Sequence, residues 1–262
     1  MRLWCDIMRI FITTPAVKAG STVLSWLLSR HSYLNHSPIM ENIELGAMLN
    51  VLDHVPGWIK RLGPDAQSAG KPEMVERIRG FSDSIINPHG REFSAIKFTN
   101  FQSYNWLSHV FPDGKTIVIA RDLHDWYASI KIWNTTRHGT WNIANVDRWI
   151  TMAAHSLRER PDIGIVRFED LVERTDETLT AVHGYLGIPP EPPDVSGQEE
   201  IFKSFSSMPS TFLAPTGSKG LLSPSPLGRG QQLLQSERDH VSRIMDMQLV
   251  RSTIYSDDRR IR

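Results

Sequence analysis

Residues 18–22 read Lys-Ala-Gly-Ser-Thr, and these residue types suit a site that binds a phosphate group. An apolar, β-branched run precedes them at residues 10–13, and an apolar pattern with helical spacing follows them. Backbone N–H groups at the start of a helix, together with a lysine, attract an anion at the end of such a strand. We therefore predict a strand, a phosphate-binding loop and a helix over residues 8–30.

The order of the lysine and the glycine distinguishes this loop from the usual nucleotide-binding P-loop. In the motif GxxxxGK[ST], the lysine follows the last glycine and directly precedes Ser or Thr. Here Lys18 comes before Gly20, and the chain contains no GxxxxGK[ST]. This order disfavours an ordinary ATPase and favours a different phosphate-containing donor.

A second pair of polar residues, Arg121 and Ser129, follows an apolar strand further along the chain. Lys115–Ala120 is a nearly continuous β-branched run, typical of a parallel strand buried on both faces. Ligands of open parallel sheets bind outside the carboxyl ends of the strands. An arginine there and a hydroxyl two helical turns later could clamp one phosphate. Taken alone, the pair fits a salt bridge and a solvated serine at least as well.

The alternation of predicted strands and helices indicates a parallel sheet covered by helices on both faces. Further strands are expected at residues 93–98 and 163–168, and further helices at 41–52, 123–133, 145–160, Thr175–Leu186 and 236–250. Segments without regular structure are expected at the polar connection 30–38, the loop 63–70, the Ser/Pro/Gly-rich stretch 190–232 and a frayed tail at 257–262.

Composition excludes several classes of protein. The 262 residues suffice for one α/β domain with a buried core, and the 29 basic residues balance 29 acidic ones, so no global charge attracts nucleic acid. Cys5 is the only cysteine, which excludes a disulfide framework. No apolar stretch reaches the roughly 20 residues that span a bilayer. The amino-terminal segment lacks the pattern of a signal peptide, whether the protein starts at Met1 or at Met8. We therefore expect a soluble cytoplasmic protein.

Three further segments follow in chain order: Phe-Glu-Asp-Leu at 168–171, Lys-Ser-Phe-Ser-Ser-Met at 203–208 and Ser-Lys-Gly at 218–220. With the first loop and the Arg121/Ser129 pair, they resemble the motifs of sulfotransferases that use 3′-phosphoadenosine 5′-phosphosulfate (PAPS). That family reads Pro-Lys-Ser-Gly-Thr-Thr, Arg with Ser eight positions later, Tyr-Glu-Asp-Leu, Thr-Ser-Phe-x-x-Met and Arg-Lys-Gly. The likeness is closest to the soluble small-molecule branch and its bacterial relatives.

The resemblance implies a single sulfotransferase domain over residues 1–262 with an α/β, P-loop NTPase-like three-layer fold. Segments 8–30 and 115–134 would bind the phosphosulfate and the 3′-phosphate, and 190–232 would close over the cofactor. The reaction would move a sulfuryl group in line from PAPS to a hydroxyl or amine of a small metabolite or glycan. The product would be adenosine 3′,5′-bisphosphate, and no metal is required.

The resemblance also implies roles for individual residues. Lys18 would neutralise charge that builds on the bridging oxygen of the leaving group, and Phe205 could stack on adenine. Cofactor contacts are expected from Lys18, Ala19, Gly20, Ser21, Thr22, Arg121, Ser129, Phe205, Lys219 and Gly220. Two departures concern this set: Phe168 replaces the motif's tyrosine, and Ser218 replaces the arginine of the closing motif, whose place Arg229 could take.

The catalytic base is not fixed by the sequence. The soluble branch uses a histidine in Lys-Thr-His, whereas residues 97–99 here read Lys-Phe-Thr. Sugar- and tyrosine-directed relatives use a glutamate shortly after the first helix, where Glu41 lies. Equally, Glu41 could simply favour the first turn of the helix expected at 41–52 through the macrodipole. His31 and His36 are alternative bases.

Two other functions stay open. A P-loop nucleotide-dependent kinase would need the P-loop lysine and a metal-binding acidic strand end. The position of Lys18 before Gly20 and the presence of Arg121 at the strand end both disfavour it. A catalytically silent protein that binds PAPS or the bisphosphate is the other alternative, since the family's histidine is missing. No histidine spacing indicates a metal site, no nucleic-acid partner is expected, and no interface indicates the oligomeric state.

Overall fold

The first apolar run of the chain forms the central strand of a five-stranded parallel sheet. The strands are β1 (Met8–Thr13), β2 (Leu34–Glu41), β3 (Phe93–Lys97), β4 (Lys115–Ala120) and β5 (Gly164–Arg167), in the spatial order β2-β3-β1-β4-β5. All four neighbouring pairs are parallel. The computed structural model describes residues 8–15, 18–41, 76–77, 79–80, 93–97, 111–140, 142–194 and 227–262.

Helices cover this sheet and give an α/β, P-loop-like three-layer fold. They are α1 (Ser21–Ser29), α2 (Leu123–His138), α3 (Ile143–Glu159), α4 (Phe168–Glu173), α5 (Thr175–Leu186), α6 (Gln235–Asp246) and α7 (Gln248–Thr253). Two short 3₁₀ helices lie at Arg229–Gln232 and Asp257–Arg259. None of the helices in the described ranges is long and apolar enough to cross a bilayer.

The core lies around the two central strands, as their apolar sequences require. Ile10, Phe11 and Ile12 of β1 and residues 117–120 of β4 are almost completely buried. On α3 the buried residues recur at helical spacing, at Val146, Ile150, Ala153, Ala154 and Leu157. Burial of one such stripe places the polar face of the helix outward and stabilises the fold mainly through the hydrophobic effect.

Several predicted elements are confirmed. β4 and α5 have the predicted bounds, and β1, β3 and α1 lie where the sequence placed them. Local signals explain this agreement: Asn142 accepts a hydrogen bond from the N–H of Ala144 at 3.0 Å at the start of α3, and Gly187 ends α5 in the left-handed conformation. α2 continues to His138, five residues beyond the predicted end, and stops at Gly139 with φ +64°.

The prediction for residues 30–41 was wrong. Residues 34–41 form β2 rather than a polar connection, and Glu41 is the last residue of a strand rather than the start of a helix. β2 is an outer strand of the sheet and, in the part of the chain that the structure describes, pairs with β3 only. An outer strand needs no continuous apolar pattern in its sequence, and it tolerates a proline such as Pro38. The predicted elements at 42–52 and 63–70 lie outside the described residues.

The predictions for the carboxyl-terminal region were also partly wrong. The single helix expected at 236–250 is two helices, because Met247 is extended with φ −58° and ψ 125°. The tail is not frayed: the N–H of Ile261 donates to the carbonyl of Ile165 at 2.9 Å, and Arg260 Nε donates to Asp170 at 2.8 Å. A backbone hydrogen bond to β5 and an ion pair hold this segment in place. Neither interaction produces a periodic pattern in the sequence, so the sequence does not predict it.

Candidate functional site

The candidate residues converge on one edge of the sheet. The loop that contains residues 18–20 follows the carboxyl end of β1, and Arg121 directly follows the carboxyl end of β4. Lys97 and Glu41 are the last residues of β3 and β2, and their Cα atoms are partners across the two strands. The carboxyl edge of an open parallel sheet is where such folds bind ligands.

The loop before α1 turns through two residues with positive φ. Lys18 has φ +69°, the single such non-glycine residue in the described ranges, and Gly20 has φ +107°. A Cβ added to Gly20 would lie 2.2 Å from Cδ2 of Phe168. Gly20 is therefore required both by its backbone conformation and by the close packing of the loop on α4.

The ammonium group of Lys18 lies against an aromatic ring on α2. Its Nζ is 5.4 Å from the centroid of the Trp133 ring, within the range of a cation–π interaction. The aromatic residue follows Ser129 by one helical turn, but no local sequence pattern indicates that this part of α2 meets the loop.

Arg121 connects the loop to two helices. Its side chain is only 3% exposed, its Nη1 donates to the carbonyl of Lys18 at 3.4 Å, and its Cζ lies 4.9 Å from the centroid of the Phe168 ring. The Asp125 carboxylate is 3.9 Å away. Burial lowers the pKa of Arg121, and Asp125 opposes this effect. An arginine nevertheless stays protonated in proteins, so a buried positive charge sits beside the loop.

The hydroxyl of Ser129 lies buried on α2, two turns beyond Arg121. Ser129 is 3% exposed, and its Oγ has no hydrogen-bond partner within the described ranges. Leaving a buried hydroxyl without a partner costs about 1–3 kcal/mol, so such a group in a native protein calls for an explanation. An oxygen of a bound ligand would provide the missing partner.

A second lysine, Lys97, reaches the same loop. It is 8% exposed, and its Nζ donates to Oγ1 of Thr22 at 3.3 Å. Lys97 is not among the residues that the sequence predicts for the site, because residues 97–99 indicate only a missing histidine. A lysine that ends an apolar strand beside a phosphate loop is a usable signal for a functional group.

The three candidate bases lie at different positions relative to β2. Glu41 ends the strand beside Lys97, whereas His36 pairs with Ala95 in the strand interior. His31 precedes the amino end of β2, whereas the loop lies at the carboxyl ends of the strands. The Nε2 atom of His31 lies 2.8 Å from the Pro189 carbonyl oxygen. The backbone thus brings Glu41, but not His31, to the edge that carries Lys18.

The motif at 168–171 acts as a connector between elements. Phe168 contacts Gly20 and Arg121, as described above, and Oε1 of Glu169 accepts the Asp122 N–H at 2.8 Å. Burial raises the pKa of Glu169. Of the remaining predicted site residues, Ala19 is buried and Ser21 begins α1, while Phe205, Lys219 and Gly220 lie outside the described residues.

Comparison with known proteins decides the family. A family model described as the sulfotransferase family matches residues 10–192, well over half of the chain. The chain belongs to the sulfotransferase family. The match begins within β1 and includes both the loop of Lys18 and the Arg121/Ser129 pair. No curated protein matches this sulfotransferase significantly in sequence.

The sulfotransferase domains of two solved structures share the fold of this chain. The sulfotransferase domain from the curacin biosynthetic pathway is 17% identical with a TM-score of 0.50, over 71% of this chain and 76% of that one. The corresponding domain from the Synechococcus PCC 7002 olefin synthase is 16% identical with a TM-score of 0.50, over 92% and 96%. Mouse sulfotransferase SULT7A1, complexed with PAP, is 15% identical with a TM-score of 0.49, over 96% and 86%.

Proposed function

We propose that this sulfotransferase moves a sulfuryl group from PAPS to a hydroxyl or amine of a small metabolite or glycan. The observation that carries the proposal is the pair of buried groups directly after β4 and on α2. The positive charge of Arg121 lies beside the phosphate loop, and the unsatisfied hydroxyl of Ser129 is buried on α2, two helical turns further along the chain. Such a pair would bind a second phosphate at the 3′ position of the donor. ADP and ATP have no phosphate at that position, so the pair would distinguish PAPS from them.

The loop would bind the 5′ end of the donor. Backbone N–H groups of Gly20, Ser21 and Thr22, at the start of α1, attract the 5′-phosphate. Lys18 and Lys97 then supply two positive charges near the reacting group. Sulfuryl transfer, like phosphoryl transfer, depends mainly on positioning and on stabilisation of charge. The single domain over residues 1–262, with 190–232 closing over the nucleotide, is part of this proposal.

Glu41 would act as the general base. An oxygen or nitrogen of the acceptor attacks sulfur, its proton passes to the carboxylate, and the bond from sulfur to the bridging oxygen breaks. The bisphosphate leaves with that oxygen, and Lys18 offsets the charge that develops on it. Every step uses groups of this chain and of the two substrates, so no metal is needed.

Calorimetric binding tests the donor. We expect micromolar affinity for adenosine 3′,5′-bisphosphate and much weaker binding of ADP and of ATP with magnesium. Arg121→Ala should weaken bisphosphate binding by about 10- to 100-fold, because it removes charged hydrogen bonds to phosphate. A preference for ATP or ADP would instead support a nucleotide-dependent kinase and would refute the proposal.

Turnover separates the enzyme from a silent binding protein. Release of the bisphosphate from PAPS would be followed with phenols, sugars and amines as acceptors. Acceptor-dependent release from the wild-type protein, absent in Lys18→Ala, is the expected result. Tight donor binding without release on any acceptor would favour a silent bisphosphate-binding protein, which is the second candidate because residues 97–99 lack the family's histidine.

A further inference from the structure

One peptide group at the end of β4 is held on both sides by side chains from distant parts of the chain. The carbonyl of Arg121 accepts a hydrogen bond from the hydroxyl of Tyr255 at 2.5 Å. The N–H of Asp122, which belongs to the same peptide group, donates to Oε1 of Glu169 at 2.8 Å. Because a peptide group is planar, a hydrogen bond at each end fixes the orientation of the whole group.

The tyrosine that provides one of these hydrogen bonds is itself held in place. Tyr255 follows α7, and its N–H donates to the carbonyl of Val250 at 3.3 Å. The guanidinium of Arg167, the last residue of β5, lies 4.3 Å from the centroid of the Tyr255 ring, within the range of a cation–π interaction. Burial raises the pKa of Tyr255, so its hydroxyl keeps its proton at neutral pH and can donate.

The peptide group connects the two parts of the proposed 3′-phosphate site. The side chain of Arg121 leaves the chain on one side of this group, and α2, which carries Ser129, begins on the other. Oδ1 of Asp122 accepts the N–H of Asp125 at 3.0 Å and so caps α2. A rotation of the peptide group would therefore change the position of the Arg121 guanidinium relative to the Ser129 hydroxyl.

The charges around Arg121 make its orientation important. Three carboxylates attract its guanidinium and one arginine repels it, and these groups belong to Asp125, Glu169, Asp122 and Arg229. The carboxylate of Asp125 lies 3.9 Å from the guanidinium. Acidic groups therefore compete with a bound phosphate for this arginine, and the backbone must direct its side chain for paired hydrogen bonds to reach the phosphate.

We propose that Tyr255 is a positioning residue for donor binding, which holds Arg121 in the orientation that binds the 3′-phosphate. This inference rests on the proposed function. Tyr255 acts through the Arg121 carbonyl rather than through contact with the ligand. This role adds the carboxyl-terminal segment, which lies beyond the residues 10–192 matched by the family model, to the elements that shape the donor site.

A second tyrosine offers a matched control at the other end of the same strand. The Tyr185 hydroxyl lies 3.0 Å from the carbonyl oxygen of Thr116, the second residue of β4, and 3.1 Å from the carbonyl oxygen of Asp162. The two tyrosines thus make the same kind of hydrogen bond at opposite ends of β4. Tyr255 alone of the two acts at the carboxyl end, where the donor would bind.

Calorimetric titrations with adenosine 3′,5′-bisphosphate and with 5′-AMP, which lacks the 3′-phosphate, test the role of Tyr255. Tyr255→Phe should weaken bisphosphate binding by about 3- to 10-fold, because one hydrogen bond is lost, and should change 5′-AMP binding by less than about twofold. Tyr185→Phe should lower the thermal unfolding midpoint to a similar extent but bind both nucleotides like wild type. Equal losses of affinity for the two nucleotides in Tyr255→Phe would indicate a general structural role and overturn the proposal.

A double-mutant cycle shows whether Tyr255 acts through Arg121. If it does, the variant that combines Arg121→Ala with Tyr255→Phe should bind the bisphosphate no more weakly than Arg121→Ala alone. The reason is that the arginine positioned by the tyrosine is then absent. Losses that multiply in the double variant would mean that Tyr255 acts independently of Arg121, which contradicts the positioning role.

The other side of the peptide group gives a test that does not depend on the folding of Tyr255→Phe. Glu169→Gln and Glu169→Ala both remove the carboxylate charge, but only glutamine keeps an oxygen that can accept the N–H of Asp122. The alanine variant should bind the bisphosphate about 3- to 10-fold more weakly than the glutamine variant. Equal affinities would show that the orientation of this peptide group does not affect donor binding, and the proposal would then be wrong.

The outcomes distinguish this inference from the proposed function. Wild-type protein that binds the bisphosphate, together with a Tyr255→Phe variant that binds it equally well, overturns the role of Tyr255 and leaves the proposed function intact. Wild-type protein that binds no bisphosphate refutes the proposed function and this inference with it.

Discussion

At the scale of single residues, the positive charges of the site come from separate positions in the sequence. Lys18 follows β1, Lys97 ends β3 and Arg121 follows β4, and the parallel sheet brings them to one edge. The sequence could predict Lys18 and Arg121 because each lies in a motif-like context. It could not predict the contact of Lys18 with Trp133, since no local pattern indicates which face of a long helix meets a loop.

Lys18→Ala should reduce turnover by at least about 100-fold while bisphosphate affinity falls far less. The ammonium group stabilises charge that appears on the leaving oxygen only in the transition state, so its loss affects the chemical step most. Rates of bisphosphate release and calorimetric affinities measure the two effects. Because alanine meets the same positive φ at this position, thermal unfolding should change little. Equal losses in affinity and turnover would assign Lys18 to donor binding alone.

Glu41→Gln should lower turnover by about 100-fold or more with donor affinity unchanged, because an amide cannot accept the acceptor proton. Rates at saturating PAPS and acceptor measure the effect. His36→Gln is the comparison, since His36 lies in the interior of β2 rather than at its end, and it should stay active. A fully active Glu41→Gln enzyme would exclude Glu41 as the base.

At the scale of elements, contacts between the phosphate loop and its neighbours hold the site together. Phe168 at the start of α4 packs against Gly20, and Tyr255 Oη, beyond α7, donates to the Arg121 carbonyl at 2.5 Å. β4 and α5 were predictable because a buried β-branched run and a glycine cap are local signals. β2 was not, because an edge strand is defined by its hydrogen bonds to β3 rather than by an apolar pattern.

Gly20→Ala should destabilise the protein by about 2 kcal/mol or more. The new methyl group would enter the Phe168 ring, and alanine is strained at φ +107°. Denaturant unfolding measures the change. Gly184→Ala is the matched control: Gly184 lies within α5, and a Cβ there meets nothing within 4 Å. That control should be neutral or stabilising by up to about 1 kcal/mol. Equal stability of the two variants would contradict the packing argument.

At the scale of the whole molecule, a histidine pair joins the first third of the chain to the segment after α5. The rings of His31 and His183 lie 4.5 Å apart, and His31 Nε2 approaches the Pro189 carbonyl. Glu191 faces the same pair and accepts the backbone N–H of Ser32 at 2.9 Å. The alternation of strands and helices predicted the overall architecture, but contacts between residues this far apart in sequence carry no local signal.

This pair should make stability depend on pH. Burial, and then the neighbouring His31, lower the pKa of His183 to about 4 from a usual value near 6.5. The unfolded chain therefore binds a proton at His183 more readily than the folded protein does. Stability is full above about pH 6.5 and falls by at most about 3 kcal/mol as the pH drops toward 4. Unfolding midpoints at several pH values should show this loss, and His183→Phe should flatten it; an unchanged slope would argue against it.

The hydrogen bond between Ile261 and Ile165 has a consequence for how copies of the protein meet. A parallel strand at the border of a sheet exposes donors and acceptors that can pair with another chain. Here the outer carbonyl of Ile165 is already engaged by a segment of the same molecule, and Arg260 is tied to Asp170 beside it. A second copy could extend the sheet at β5 only by first displacing this tail, so the tail protects that border against strand-to-strand aggregation.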